Sequence, residues 1–134
     1  MRFVLDCSII MSWCFADEAD GYADAEAVVP SIWPLEVANV LIVAERRQRI
    51  NGAQLARLVE LPRSLPVIVD GVILDRVLGA VLMLAREHKL SSYDAAYLEL
   101  AMREGIPLAS RDERLIEAAH RCGVPLVQEE SLDG

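Results

Sequence analysis

Short apolar segments of strand character alternate with longer helical segments along nearly the whole chain, and that alternation leaves few folds open. Arg2–Leu5, Ala27–Val29, Val67–Val69, Leu108–Ala109 and Leu126–Val127 read as strands. Ser8–Phe15, Gly21–Ala25, Pro34–Gln48, Gly52–Leu61, Val72–His88, Ser92–Arg103 and Glu113–Cys122 read as helices. Pro34 takes a first helical position, where its missing N–H costs nothing. Pro62 reads as a helix stop, and Gly105 and Gly123 close two others. Strands separated by helices make right-handed crossovers, so the expected class is α/β with a mainly parallel sheet covered on both faces.

At 134 residues the chain is most simply one domain, residues 1–134, with enough length to bury a core. Asp6, Glu45, Arg46, Asp75 and Arg86 interrupt every apolar run before it reaches the length of a membrane span. Only three apolar residues separate Arg2 from Asp6, which does not read as a signal peptide. Cys7, Cys14 and Cys122 form no C-x-x-C pair, so a reduced, cytoplasmic setting is expected, with the thiols as small hydrophobes. His88 and His120 lie near helix C-termini and lack zinc-like spacing. The net charge of −8 argues against a nucleic-acid partner, but the charge is uneven. Arg46, Arg47 and Arg49 cluster, as do Arg111 and Arg114. Divalent cations held by acids would also reverse the local potential.

Four acids stand where strands end and helices begin, the edge at which α/β proteins bind ligands. Asp6 follows the first strand; Glu36 opens a helix after Pro34; Asp94 lies in the first turn of another; Asp112 follows Leu108-Ala109-Ser110. Each has a bland explanation. Ser91-x-x-Asp94 and Ser110-x-x-Glu113 read as capping boxes, and negative charge suits any first helical turn. Jointly they read as one site, supported by Ser8 two residues after Asp6 and Asn39 three residues after Glu36.

Such a site needs cations. Two carboxylates about 4 Å apart repel by roughly 4 kcal/mol at an effective dielectric near 20. All-oxygen ligation without Cys or His selects Mg²⁺ or Mn²⁺. The chemistry that suits such ions here is hydrolysis of a phosphodiester by an activated water.

Four stretches in order also resemble the PIN-domain family, and most of all its VapC-type toxins. They are Val4-Leu5-Asp6-Cys7-Ser8, Pro34-Leu35-Glu36-Val37-Ala38-Asn39-Val40-Leu41, Ser92-Tyr93-Asp94-Ala95-Ala96-Tyr97 and Leu108-Ala109-Ser110-Arg111-Asp112. The resemblance implies a three-layer α/β/α fold with a five-stranded parallel sheet, and a Mg²⁺- or Mn²⁺-dependent endoribonuclease. It also implies a homodimer and a cognate antitoxin that blocks the active site. On this matching Asp6, Glu36 and Asp94 are the core catalytic and metal-binding acids, and Asp112 is the fourth. Ser8, Asn39 and Ser110 take the supporting polar positions. The chain departs from the family between Phe15 and Pro30, where only Gly21–Ala25 remains for a helix that commonly helps to form the antitoxin groove.

Arg46, Arg47 and Arg111 are candidate RNA contacts, although cations near Arg47 also simply complement a helix C-terminus, the favoured reading there. Arg47 lies eleven positions after Glu36 on nearly the same helical face, about 16 Å along the axis. Trp13, Phe15 and Trp33 read as core, or else as a dimer or antitoxin surface. Tyr93 and Tyr97 flank Asp94, with packing as the default role and base stacking as the alternative. Asp70 before Gly71 reads as a turn or cap. A receiver domain fits poorly, because Asp6 is not paired and Lys89, the only lysine, lies at a helix C-terminus. A phosphatase of the haloacid dehalogenase type needs an Asp where Ser8 stands. A structure-specific DNA nuclease would need insertions to clamp a junction. The alternative within the same resemblance is a non-catalytic or antitoxin-silenced module that binds RNA or protein.

Overall fold

The computed structural model describes residues 1–10 and 25–127. Strand β1 is Arg2–Leu5, β2 is Glu26–Pro30, β3 is Val67–Asp70 and β4 is Leu108–Ala109. Every pairing among them is parallel, in the order β3-β2-β1-β4. Phe3, Val4 and Leu5 are all buried, as are Ala27, Val28 and Val29. Successive strand residues point to opposite faces, so a run buried without alternation has cover on both. That gives the expected layering of helices around a parallel sheet.

Five strands were expected and four form ladders. Leu126, at the fifth position, makes only an isolated parallel bridge to Leu108. The Leu108 N–H donates to the Pro125 carbonyl at 2.9 Å, and the Val127 N–H donates to the Leu108 carbonyl at 2.9 Å. Pro125 has no N–H to extend the ladder backwards, and β4 offers only two residues.

Helix α1 is Trp33–Arg46, with Pro34 in its first turn, and α2 is Gly52–Ser64. Asn51 caps α2: its side chain accepts from the Gln54 N–H, and the Gln54 side chain accepts from the Asn51 N–H. Pro62 does not stop this helix but sits in its last turn. There it removes one hydrogen bond at most, and the Ser64 hydroxyl satisfies the Leu61 carbonyl at 2.7 Å. Helix α3 comes in three consecutive pieces: Leu74–Arg76, a π-helical stretch Val77–Val81, and Leu82–His88. It starts later than the expected Val72 because Ile73 is still extended, at φ −113° and ψ 126°. Helix α4 is Ser92–Glu104 and α5 is Glu113–Arg121. Gly105 closes α4 in the left-handed region at φ 65°, a conformation costly to a residue with a Cβ. Helix α4 packs across β1, β2 and β4 and carries much of the core, including Tyr97, Leu98 and Leu100.

A short 3₁₀ turn, Cys7–Ile9, follows β1 directly. Most of the expected Ser8–Phe15 and Gly21–Ala25 helices, together with Trp13, Cys14 and Phe15, lies outside the described residues. Trp33 is buried in the core. Asp70 is more than a turn residue. It ends β3 in a charge network with Arg103 at 2.7 Å and Arg76 at 3.7 Å, and both arginines also reach the buried Glu99. No helix among the described residues is long and apolar enough to cross a membrane.

Candidate active site

The strand order creates the site. From β1 the chain moves outward through β2 and β3, then returns to place β4 on the other side of β1. Beyond the carboxyl ends of β1 and β4 the connections therefore diverge and leave a crevice. Asp6 follows β1 into that crevice, and Ser110 and Asp112 follow β4 into it.

Asp6 is only 3% exposed. Its Oδ2 accepts from the Ser8 hydroxyl at 2.7 Å and from the Ser110 hydroxyl at 2.8 Å. Each hydroxyl is also an acceptor: Ser8 from the Arg111 N–H at 2.9 Å, Ser110 from the Asp112 N–H at 3.0 Å. A hydroxyl has one proton. With both protons committed to Asp6, the 3.4 Å approach of the two serine oxygens is a contact without a hydrogen bond. The arrangement fixes Asp6 and leaves its Oδ1 free of hydroxyl donors. Burial pushes the Asp6 carboxyl above the usual range, and Asp112 adds to this, while the two serines pull it back.

Glu36 lies in the first turn of α1, and its Oε1 accepts a 2.6 Å hydrogen bond from the Tyr97 hydroxyl. Burial raises its carboxyl and so does Asp6, while the tyrosine opposes them. Tyr97 itself is fully buried, so it stacks no base; it positions Glu36. The sequence hinted at this only by placing Tyr97 on the Asp94 side of a helix. Asp94 lies in the first turn of α4, where Ser91 caps by accepting from the Asp94 N–H at 3.1 Å. Its carboxyl is pushed up to about 6, first by burial and then by Asp112, Asp6 and Glu36. Asp94 thus feels all three other acids.

Asp112, not Ser110, is the N-cap of α5: its Oδ1 accepts from the Leu115 N–H at 3.0 Å. Ser110 is occupied with Asp6, so the capping box expected at Ser110-x-x-Glu113 does not form. Cys7 sits among the acids, and burial with Asp6, Glu36 and Asp94 raises its thiol so far that it stays neutral. Asn39 is exposed on α1 and lines a cavity together with Glu36. Arg111 adjoins the site through its backbone N–H. Arg46 and Arg47 do not: they are exposed at the far end of α1, on the order of 15 Å from Glu36 at 1.5 Å per residue.

The four carboxylates offer only oxygen ligands, which suits a hard divalent cation. Among the described residues, however, no three Asp, Glu, Cys or His side chains close into a ready ligand set.

Comparison with known proteins gives the site its context. A crystal structure of PAE2754 from Pyrobaculum aerophilum is similar over 99% of this chain and 88% of its own, with a TM-score of 0.74 and 25% identity. A PilT N-terminus domain protein, SSO1118 from the archaeon Sulfolobus solfataricus P2, shares the fold at a TM-score of 0.51. Its identity is 14%, over 98% of this chain and 90% of its own. No curated protein matches the chain. The PIN-domain family model matches residues 3–121, so the chain belongs to the PIN-domain family, whose fold is generally that of a nuclease.

Proposed function

We propose that this chain is a Mg²⁺- or Mn²⁺-dependent endoribonuclease, acting in the cytoplasm as the toxin of a toxin–antitoxin pair. The observation that carries the nuclease reading is the hydrogen-bonded juncture at the acids, where Ser110 after β4 reaches Asp6 after β1 at 2.8 Å and Tyr97 of α4 reaches Glu36 of α1 at 2.6 Å. Acids from four separate elements share one field in a crevice of a nuclease fold, where perturbed carboxyls mark function. The toxin role, the cognate antitoxin and the homodimer rest on the likeness of the four sequence motifs to VapC-type toxins.

In this reading Asp6, Glu36, Asp94 and Asp112 hold the cation. A hard divalent ion bound there supplies charge neutralisation and an activated water for attack on phosphorus. Ser8 and Ser110 keep Asp6 ionisable despite its burial by hydrogen-bonding the carboxylate. Tyr97 ties down Glu36 through its Oε1, which lowers the entropic cost of presenting the carboxylate to a cation. Arg111, whose backbone N–H reaches Ser8, is the candidate RNA contact nearest the acids.

The rival reading is a non-catalytic or antitoxin-silenced binding module. Incubation of the purified protein with RNA separates the two. Cleavage in Mg²⁺ or Mn²⁺ that stops in EDTA, with 5′-phosphate and 3′-hydroxyl ends, supports the proposal. Undiminished cleavage in EDTA, or 2′,3′-cyclic phosphate ends, refutes the mechanism. RNA binding without cleavage in either metal supports the rival. A monomer by light scattering at micromolar concentration removes the homodimer.

A further inference from the structure

We infer that the cavity beside Glu36 receives one unpaired nucleobase of the RNA strand, next to the phosphate under attack; this rests on the nuclease reading. The cavity has a volume of about 320 Å³, enough for a small flat ligand. Ile32, Leu35 and Val40 give it an apolar wall, and Cys7 and Glu36 join it to the acid cluster. Tyr93 contributes an aromatic ring that is 56% exposed. Asn39 contributes a side-chain amide that makes no hydrogen bond among the described residues.

These groups match a base better than they match a phosphate or an acidic chain. A base needs a flat apolar slot, a ring to stack on, and donors and acceptors at its edge. An amide offers both kinds of hydrogen-bonding group. The charge of the protein points the same way. Nucleic-acid affinity usually comes from cations on phosphates, yet this chain carries −8 and its Arg46 and Arg47 lie at the far end of α1. An uncharged base can be held beside four carboxylates where a second phosphate cannot. Stacking in the slot also demands that the base be free of a duplex, so the site selects unpaired RNA.

The test uses fluorescein-labelled single-stranded RNA octamers, bound in Ca²⁺ and followed by anisotropy, with RNA integrity checked on gels. Each position is made abasic in turn. One abasic position should weaken binding to the wild-type protein by roughly five- to a hundredfold, the range for loss of one stacked base. Tyr93→Ala should bind intact RNA with the same loss and no longer sense the abasic position. Tyr93→Phe should behave as wild type, because the ring is kept. Asn39→Asp should change the preferred base at that one position. Melting curves verify that the variants fold, which the exposure of Tyr93 favours. The inference is overturned if the wild type binds RNA but tolerates every abasic position equally, or if Tyr93→Ala binds as tightly as wild type. Wild-type protein that neither binds nor cuts RNA overturns the nuclease reading itself.

Discussion

Replacing Asp94 by Asn tests whether this acid serves a cation or merely begins a helix. The carboxyl is raised from 3.8 to about 6 by burial and three neighbouring acids. Each unit corresponds to about 1.4 kcal/mol, so holding it ionised costs the folded state at most about 3 kcal/mol. The group is only half-buried, and solvent screening reduces that to about 1–2 kcal/mol. Asn keeps the shape and the backbone bond to Ser91 but loses about 0.3–1 kcal/mol of charge–dipole interaction. Without metal the variant should therefore gain up to about 1 kcal/mol, or roughly 3–5 °C in Tm. The raised value also sets the pH dependence. The unfolded chain releases this proton near 3.8 and the folded chain near 6, so wild type loses stability as pH rises through that window. Melts in EDTA should show the two proteins nearly equal at about pH 3.5 and the variant ahead at about pH 7.5. Mn²⁺ should raise the Tm of wild type, by about 2.7 kcal/mol at a hundred times Kd, and leave the variant nearly unmoved. A variant less stable than wild type in EDTA at every pH, with an intact Mn²⁺ response, would refute the reasoning and make Asp94 a helix-start charge only.

Tyr97→Phe removes the 2.6 Å hydrogen bond to Glu36 while keeping the buried ring; stability should fall by about 1 kcal/mol, and RNA cleavage should drop about tenfold as Glu36 loses its fixed rotamer. Asp112 has two roles that substitution separates. Asp112→Asn keeps a good N-cap and should leave the metal-free Tm within about 1 °C, whereas Asp112→Ala should cost about 0.5–2 kcal/mol; both should lose metal-dependent cleavage. An equal Tm loss in the two variants would show that the cap at Leu115 is not what Asp112 contributes. Ser110→Ala leaves Asp6 with one hydroxyl donor, so denaturant titration should show a loss of about 1–3 kcal/mol. Arg103→Met leaves Asp70 and Glu99 with only the longer contacts of Arg76, and should destabilise by about 2 kcal/mol; an unchanged urea midpoint would count against that network.

The sequence by itself determined most of the described elements and the strand ends and helix starts that carry the acids. The strands at Arg2, Ala27, Val67 and Leu108 were legible because parallel strands are short apolar runs between helical segments, even where, as in β3, Ile68 and Val69 stay exposed. The starts of α1 and α4 were legible because Pro34 and Ser91 act within the first turn; the α2 start was placed correctly, but the Asn51 side chain that caps it was not singled out. Asp6, Glu36, Asp94 and Asp112 could be assigned to one edge because strand ends and helix starts meet there in any α/β sheet. Other features were decided only by the tertiary structure. The Ser110 hydroxyl reaches Asp6 across 104 residues, and Tyr97 reaches Glu36 across 61. Both depend on β1 lying beside β4 and on α4 crossing the sheet, neither of which local propensity can set. The same long-range pairing left Leu126 as a single bridge instead of a fifth strand, and gave the cap of α5 to Asp112 because Ser110 was already committed to Asp6. Local structure follows from interactions within one turn or one pleat; partners in the site follow from strand order, which is fixed only when the whole core packs.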